Sequence, residues 1–440
     1  AGKSVLLSLL ALQFRRFIGA QVILFDRGRS ARAATLAMNG ESIELGLEGT
    51  LSLQPLARID EPGEIAFALQ WITALLTNEG VRVTPDVKDA VWTALQSLAS
   101  APKDERTLTG LAVLIQSSAL VAALEPYTLE GAYGRLLDGA AEQLAETQVL
   151  HVEMEQLMAH KALIAPVLTY LFHRLEARFD GRPTLMILDE AWTFLDDALF
   201  AARIREWLKT LRKKNVSVVF ATQSLADIER STIASALIES CPTRIFLPND
   251  RALEPQARSV YERFGLNARQ VEILSSATAK RDYYAQTARG NRLFELGLGP
   301  VALAFTAASS PDDQRLIDRC LVESSGASFA ARFLTAKGLG WAGELLSRWP
   351  RPALHAPALP QSAPPIASAK GAQGVPTASP NGSAPAPTAA APHSPPRNDA
   401  APLPGLATGL APGLPGGPPL SERLSPFRVA SPARQRRIRG

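Results

Sequence analysis

Two short segments, QVILFD (Gln21–Asp26) and PTLMILDE (Pro183–Glu190), stay mainly apolar along their length and then stop at a carboxylate. A strand with one wet face alternates apolar and polar residues. A run without alternation has both faces covered, which points to a parallel sheet lying between helices. Helical spacing surrounds these runs. Over Lys3–Phe17, Leu6, Leu9, Leu10, Gln13 and Phe17 fall around the turns, and from Pro166 to Phe179 a stripe of Val167, Leu168, Leu171, Phe172 and Leu175 recurs. A third helix is expected over Ala198–Lys213. Further strands are expected at SIEL (Ser42–Leu45), TQVLHVEM (Thr147–Met154), SVVFATQ (Ser217–Gln223) and TRIFLP (Thr243–Pro248). RDYYAQ, RLFELGL and VALAFTA, between residues 281 and 307, read as antiparallel strands at an edge. The expected class is α/β, a mainly parallel sheet with helices on both faces.

Strand signals vanish between Pro62 and Leu144, where Thr84-Pro85-Asp86 supplies an N-cap, a first-turn proline and an early acid. This stretch is read as an all-helical insertion. The chain carries 33 Pro, most of them after Trp349. Residues 350–440, rich in Pro, Ala, Gly and Ser, bury too little apolar area to offset chain entropy and are expected to be disordered. The basic end RQRRIRG is either a solvated cluster or an electrostatic contact for nucleic acid or anionic lipid. A net charge of +4 on 440 residues does not argue for nucleic acid. Cys241 and Cys320 make no disulfide framework and no zinc pattern; buried thiols in a reducing compartment are expected. No apolar run reaches the ~18–20 residues of a spanning helix, and Leu108–Leu124 reads as a soluble helix interrupted by Gln116, Ser117 and Ser118.

The opening AGKSVLLSLLALQF lacks a small-residue cleavage site and runs straight into Arg15 and Arg16, so a signal peptide is rejected. Gly2, Lys3 and Ser4 match the last three positions of G-x-x-x-x-G-K-[ST], a phosphate-binding loop. In that pattern glycine lets backbone N–H groups approach a phosphate, lysine neutralises the β and γ oxygens, and the hydroxyl ligates Mg²⁺. Ala1, Gly2, Lys3, Ser4 and Val5 are the candidate phosphate contacts. The expectation is of a loop whose earlier portion lies upstream of Ala1, leaving hydrolysis by the 440-residue chain impaired. Asp189, at the end of an apolar strand, is the candidate second metal ligand beside Ser4, and Glu190 the group that orients attacking water. Gln223, ending a neighbouring strand, is placed to report a γ-phosphate. Asp26 either supports the phosphate loop from behind or is the N-cap of a helix, standing just before RGRSA. His151, His160 and His173 show no ligand spacing and are given no role.

AGKS, VILFDRGRSA, TLMILDEAWTFLDD, WLKTLRKKNVSVVFATQSLADI, CPTRIFLPN and DYYAQTARGNRLFELGLGPVALAF together resemble the conjugal-transfer ATPases of bacterial type IV secretion systems, the TrbE type in particular. The resemblance covers about Ala1–Trp349 and corresponds to the carboxyl-terminal motor half of that family. It implies a RecA-like P-loop NTPase divided into a first core segment (1–60), a helical insertion (61–146) and a second core segment (147–349), with ATP and Mg²⁺ as cofactors. It also implies a ring-shaped homo-oligomer, other secretion subunits as partners, and a peripheral position at the cytoplasmic face of the inner membrane. In such a ring an arginine from one subunit can act on its neighbour's site; Arg212 and Arg292 are the candidates, each equally readable as a surface or packing residue. Lys3, Ser4, Asp189, Glu190 and Gln223 keep their motif roles under this resemblance. Two alternatives stay open: a DNA-translocating motor of the coupling-protein or FtsK/HerA kind, and a non-catalytic scaffold with a nucleotide fold.

Overall fold

In the computed structural model, five strands lie parallel in the order β2-β3-β1-β4-β5. They are β1 (Gln21–Asp26), β2 (Glu41–Glu44), β3 (Val149–Glu153), β4 (Thr184–Leu188) and β5 (Val216–Phe220). The structure describes residues 2–49, 51–144, 146–190, 198–323, 328–348 and the pair 427–428. By contacts the chain divides into one unit of 1–354 with 426–440 and another of 355–425; the second lies outside the described residues.

The absence of alternation in β1 and β4 has the expected cause. Every residue of both strands is buried. Val22, Leu24, Val149, Leu185 and Ile187 face one side, against Leu7 and Ala11 of helix α1 (Lys3–Phe14). Ile23, Phe25, Leu150, Val152, Met186 and Leu188 face the other. There Phe172 of the helix Lys161–Glu176 meets Phe25 and Trp207 edge-on, with ring centroids 5.2 and 4.8 Å apart. Helices thus cover both faces.

Between β2 and β3 the described residues form helices and turns only, and a short helix α2 (Arg32–Ala37) precedes β2. The helices between the two strands are α3 (Glu64–Asn78), α4 (Pro85–Leu98), α5 (Leu108–Leu114), α6 (Ser118–Leu124) and α7 (Gly134–Leu137). Thr84 caps α4 by accepting the Val87 amide, with Pro85 in the first turn. Leu108–Leu124 is two helices rather than one, because Ile115 turns extended (ψ 124°) and the polar Gln116–Ser117 step restarts the chain at Ser118. Trp71 of α3, fully buried, donates its indole N–H to the Pro166 carbonyl at 2.9 Å and ties this region to the sheet's helical cover. The helix that contains Pro166 starts earlier than the proline suggested, at Lys161. After β3 come α8 (Glu155–Met158), α9 (Lys161–Glu176) and, past β4, α10 (Ala198–Thr210). Leu211–Lys214 then make one tight turn into β5.

The remaining strands correct the expectation of a single sheet. β6 (Arg244–Phe246), β7 (Asp282–Thr287) and β8 (Gly290–Leu296) pair antiparallel in a sheet of their own, so TRIFLP does not extend the parallel sheet. VALAFTA is not a strand. Gly297, Gly299 and Pro300 end β8, proline takes the first helical position, and Pro300–Thr306 winds into a helix that buries Ala304 and Phe305. Its alternating letters fit either period, and packing beside Ala33, Ile317 and Phe333 selects the helix. The tail expectation lies outside the described residues except for Phe427–Arg428, whose backbone pairs with β8.

A groove of about 580 Å³ separates the two sheets at one place. Val218 and Phe220 of β5 and Phe246 of β6 line it, with Leu6 and Leu10 of α1 and Leu237 nearby. Among the described residues no strand pairs with the outer edge of either β5 or β6.

Candidate active site

Parallel strands in register bring their carboxyl ends to one edge. Phe25 of β1 faces Leu188 of β4, which faces Phe220 of β5, so the residues that follow emerge side by side. These are Asp26, Asp189-Glu190 and Ala221-Thr222-Gln223. The amino terminus of α1 points at the same edge. Lys3 Nζ lies 2.6 Å from Asp189 Oδ1 and 2.6 Å from Glu190 Oε1. Gln223 Nε2 donates to Glu190 Oε1, also at 2.6 Å. Residues 187 positions apart in sequence therefore share one cluster. Asp189 and Glu190 are buried, whereas Gln223 is exposed.

Two backbone features hold the cluster. Gly2 has φ 110°, a conformation that favours glycine, and Tyr283 of β7 donates its hydroxyl to the Gly2 carbonyl at 3.0 Å. A Cβ on Gly2 would come within 2.6 Å of that tyrosine oxygen. Glu190 also has positive φ, 53°, a strained state for a residue with a side chain. Ser4, the second residue of α1, is half-buried beside Lys3, and Val5 packs with Leu6, Leu9 and Tyr283 under the loop. Ala1, and the AWTFLDD that follows Glu190, lie outside the described residues.

Burial pushes the Asp189 carboxyl above the ordinary carboxylate range; Lys3 pulls against that shift and Asp26 adds to it. Asp26 behaves oppositely. Burial alone would raise it, but the His151 hydrogen bond, the Ala31 amide and the Ser30 hydroxyl together hold it low. Asp26 accepts the Arg27 and Ala31 amides at 2.8 Å each and locks the turn into α2. Helix α2 begins only at Arg32, with Ala31 as its N-cap and no side-chain cap, so Asp26 does not cap it; its contacts hold the turn before the helix, and it stands next to Asp189 as well.

His151, given no role from the sequence, is the residue that reading missed. It is fully buried, with Nε2 3.2 Å from Asp26 Oδ2 and Nδ1 2.8 Å from Ser42 Oγ. Donation from Nε2–H and acceptance of the Ser42 hydroxyl at Nδ1 satisfy both nitrogens. Glu153 completes a group close enough to hold a cation. Its oxygens, however, accept the Gly28, Arg29 and Glu155 amides. With backbone donors on both carboxylates, this group locks a loop. The only signal in the sequence was an acid at the end of each of two neighbouring strands.

Arg212 and Arg292 are both exposed. Arg212 stands at the amino-terminal end of β5, a strand's length from Gln223. Arg292 lies on β8 opposite Ala285 of β7, two residues from the Phe294 ring that stacks on Tyr283. Neither touches the chain's own Lys3 cluster. Cys241 is half-buried and Cys320 buried, and both are free thiols.

Residues 114–289 match the TraG P-loop domain family. The conjugal transfer protein TrbE of Rhizobium radiobacter is 44% identical over 353 residues, which is 78% of this chain and 43% of that protein. The chain is a TrbE homologue. A probable conjugal transfer protein TrbE of Sinorhizobium fredii is 43% identical over 353 residues, 79% of this chain and 53% of the relative. The type IV secretion system protein VirB4 of Bartonella quintana is 29% identical over 306 residues, 68% of this chain and 38% of its own length. This TrbE homologue thus spans about half the length of the curated relatives it matches. Among solved structures, VirB4 of Thermoanaerobacter pseudethanolicus superposes with a TM-score of 0.55 at 19% identity, covering 69% of this chain and 88% of that one. That likeness shows the fold, a parallel sheet between helices, and with the TraG P-loop match over residues 114–289 gives the class, a P-loop NTPase. No helix among the described residues is long and apolar enough to cross a membrane.

Proposed function

We propose that this chain is the motor portion of a conjugative type IV secretion ATPase, binding Mg²⁺-ATP at the carboxyl edge of β1, β4 and β5. The observation that carries the reading is the convergence of Lys3, Asp189, Glu190 and Gln223 on one another. Lysine, two carboxylates and an amide are the types that phosphoryl transfer to water calls for, and they come from the elements where a P-loop NTPase keeps them.

Without nucleotide, Lys3 is neutralised by the acids. With a triphosphate at the start of α1, the Lys3 ammonium would leave the acids for the phosphate oxygens, and the amides from Gly2 to Val5 would be the donors that hold them. The oxygen donors Ser4 and Asp189 suit Mg²⁺, a hard cation that prefers such ligands. Bound there, the ion would neutralise charge on the β and γ oxygens. Glu190, released from Lys3, keeps the Gln223 contact and orients water toward the terminal phosphate. Gln223 registers whether that phosphate is present through the same bond. In a ring, an exposed arginine would complete the neighbour's site, and Arg212 and Arg292 are the candidates.

Hydrolysis would drive substrate transfer or channel assembly with other secretion subunits at the inner membrane. Placing Glu190→Gln in the gene should abolish transfer between cells while the protein accumulates normally. Undiminished transfer would overturn the hydrolytic reading and favour a scaffold. Salt-sensitive stimulation of hydrolysis by DNA would favour a translocating motor instead.

A further inference from the structure

We infer that Asp26, oriented by His151, is a positioning residue for the cation of this site: its carboxylate deepens the negative field in which Asp189 takes Mg²⁺. The inference rests on the nucleotide reading above. β1 and β4 end in register, and the Asp189 amide donates to the Phe25 carbonyl at 2.9 Å, so Asp26 and Asp189 leave the sheet edge as immediate neighbours. Both are buried, at 2% and 4% exposure, where charges are poorly screened. Asp26 cannot swing away to relieve the repulsion. The Arg27 amide and the Ser30 hydroxyl hold its Oδ1, and the Ala31 amide and the His151 ring hold its Oδ2.

The charge balance then selects the ligand. Lys3 bonds both Asp189 and Glu190, and when it turns to phosphate those two carboxylates and Asp26 are left facing one another. A divalent ion held by Asp189 would answer that excess; a second lysine-like charge would not. The loop contacts of Asp26 take up both of its oxygens and explain its burial, and the same placement sets its charge against Asp189.

The test titrates MgCl₂ into the full chain with a fluorescent ADP analogue, reading nucleotide binding rather than turnover, with melting followed in parallel. D26N should move the Mg²⁺ concentration for half-maximal binding up by roughly tenfold, as expected for loss of one nearby charge in a poorly screened site. Ser30→Ala loses a loop hydrogen bond but no charge, and should leave that concentration unmoved. If D26N fails to fold, Asp26→Ser carries the same expectation, since its hydroxyl can still accept an amide. An unchanged Mg²⁺ dependence in the folded neutral variant, or an equal shift in Ser30→Ala, overturns the assignment while leaving the proposed function standing. Absence of any Mg²⁺-dependent binding by the unaltered chain would overturn both.

Discussion

Asp26 and Asp189 sit one strand apart and titrate in opposite directions, so their removal should have opposite effects on stability. The Asp26 carboxyl is held below its ordinary value. Its contribution is therefore complete above the unfolded value near 4 and is lost as pH falls through the lower folded value. Asp26→Asn should destabilise the neutral-pH protein by about 1–3 kcal/mol, since it weakens charge-assisted hydrogen bonds, and the gap should close in acid. Asp189 is held above its ordinary value. The native state then binds the extra proton, and stability falls as pH rises from the ordinary value through the raised one. Asp189→Asn should melt higher than the parent at neutral pH without nucleotide, with the advantage vanishing as acid protonates the parent's Asp189. Thermal melts at stepped pH check both signs. A stabilised but inactive Asp189→Asn chain would be the usual trade of stability for a working site.

At the scale of elements, legibility followed burial. β1 and β4 were plain in the letters because both faces are covered, and Gln223 followed from the strand before it. Pairing that joins distant segments was not. Nothing local says that Ser42, His151 and Asp26 meet, since their spacing in sequence carries no period. Nor do the letters of β6 say that it leaves the parallel sheet for β7. VALAFTA misled because alanine and branched residues satisfy both periods, and only the Phe305 and Ala304 contacts decide between them. The helices between β2 and β3 share one continuous apolar core with the sheet, and Trp71 adds a polar tie. Trp71→Phe, which keeps an aromatic ring but loses the indole donation to the Pro166 carbonyl, should cost about 0.5–1.5 kcal/mol. Trp71→Ala, which adds a cavity, should cost about 3–5 kcal/mol. Urea midpoints would separate the two. Thr84→Ala should cost about 1 kcal/mol by the loss of the α4 cap alone.

For the whole molecule, the groove between β5 and β6 has its own liability. Its walls are apolar, and the backbone N–H and C=O groups along both rims have no sheet partner among the described residues. Such rims invite any extended segment that fits, including one from another copy. Concentrating the purified chain should therefore raise its light scattering, and Val218→Lys, a charge set on the β5 wall, should suppress the rise in the fraction that stays folded. The same opening is a practical warning: a tag or linker fused ahead of Gly2, if hydrophobic and extended, would have a ready berth beside the very lysine an assay depends on.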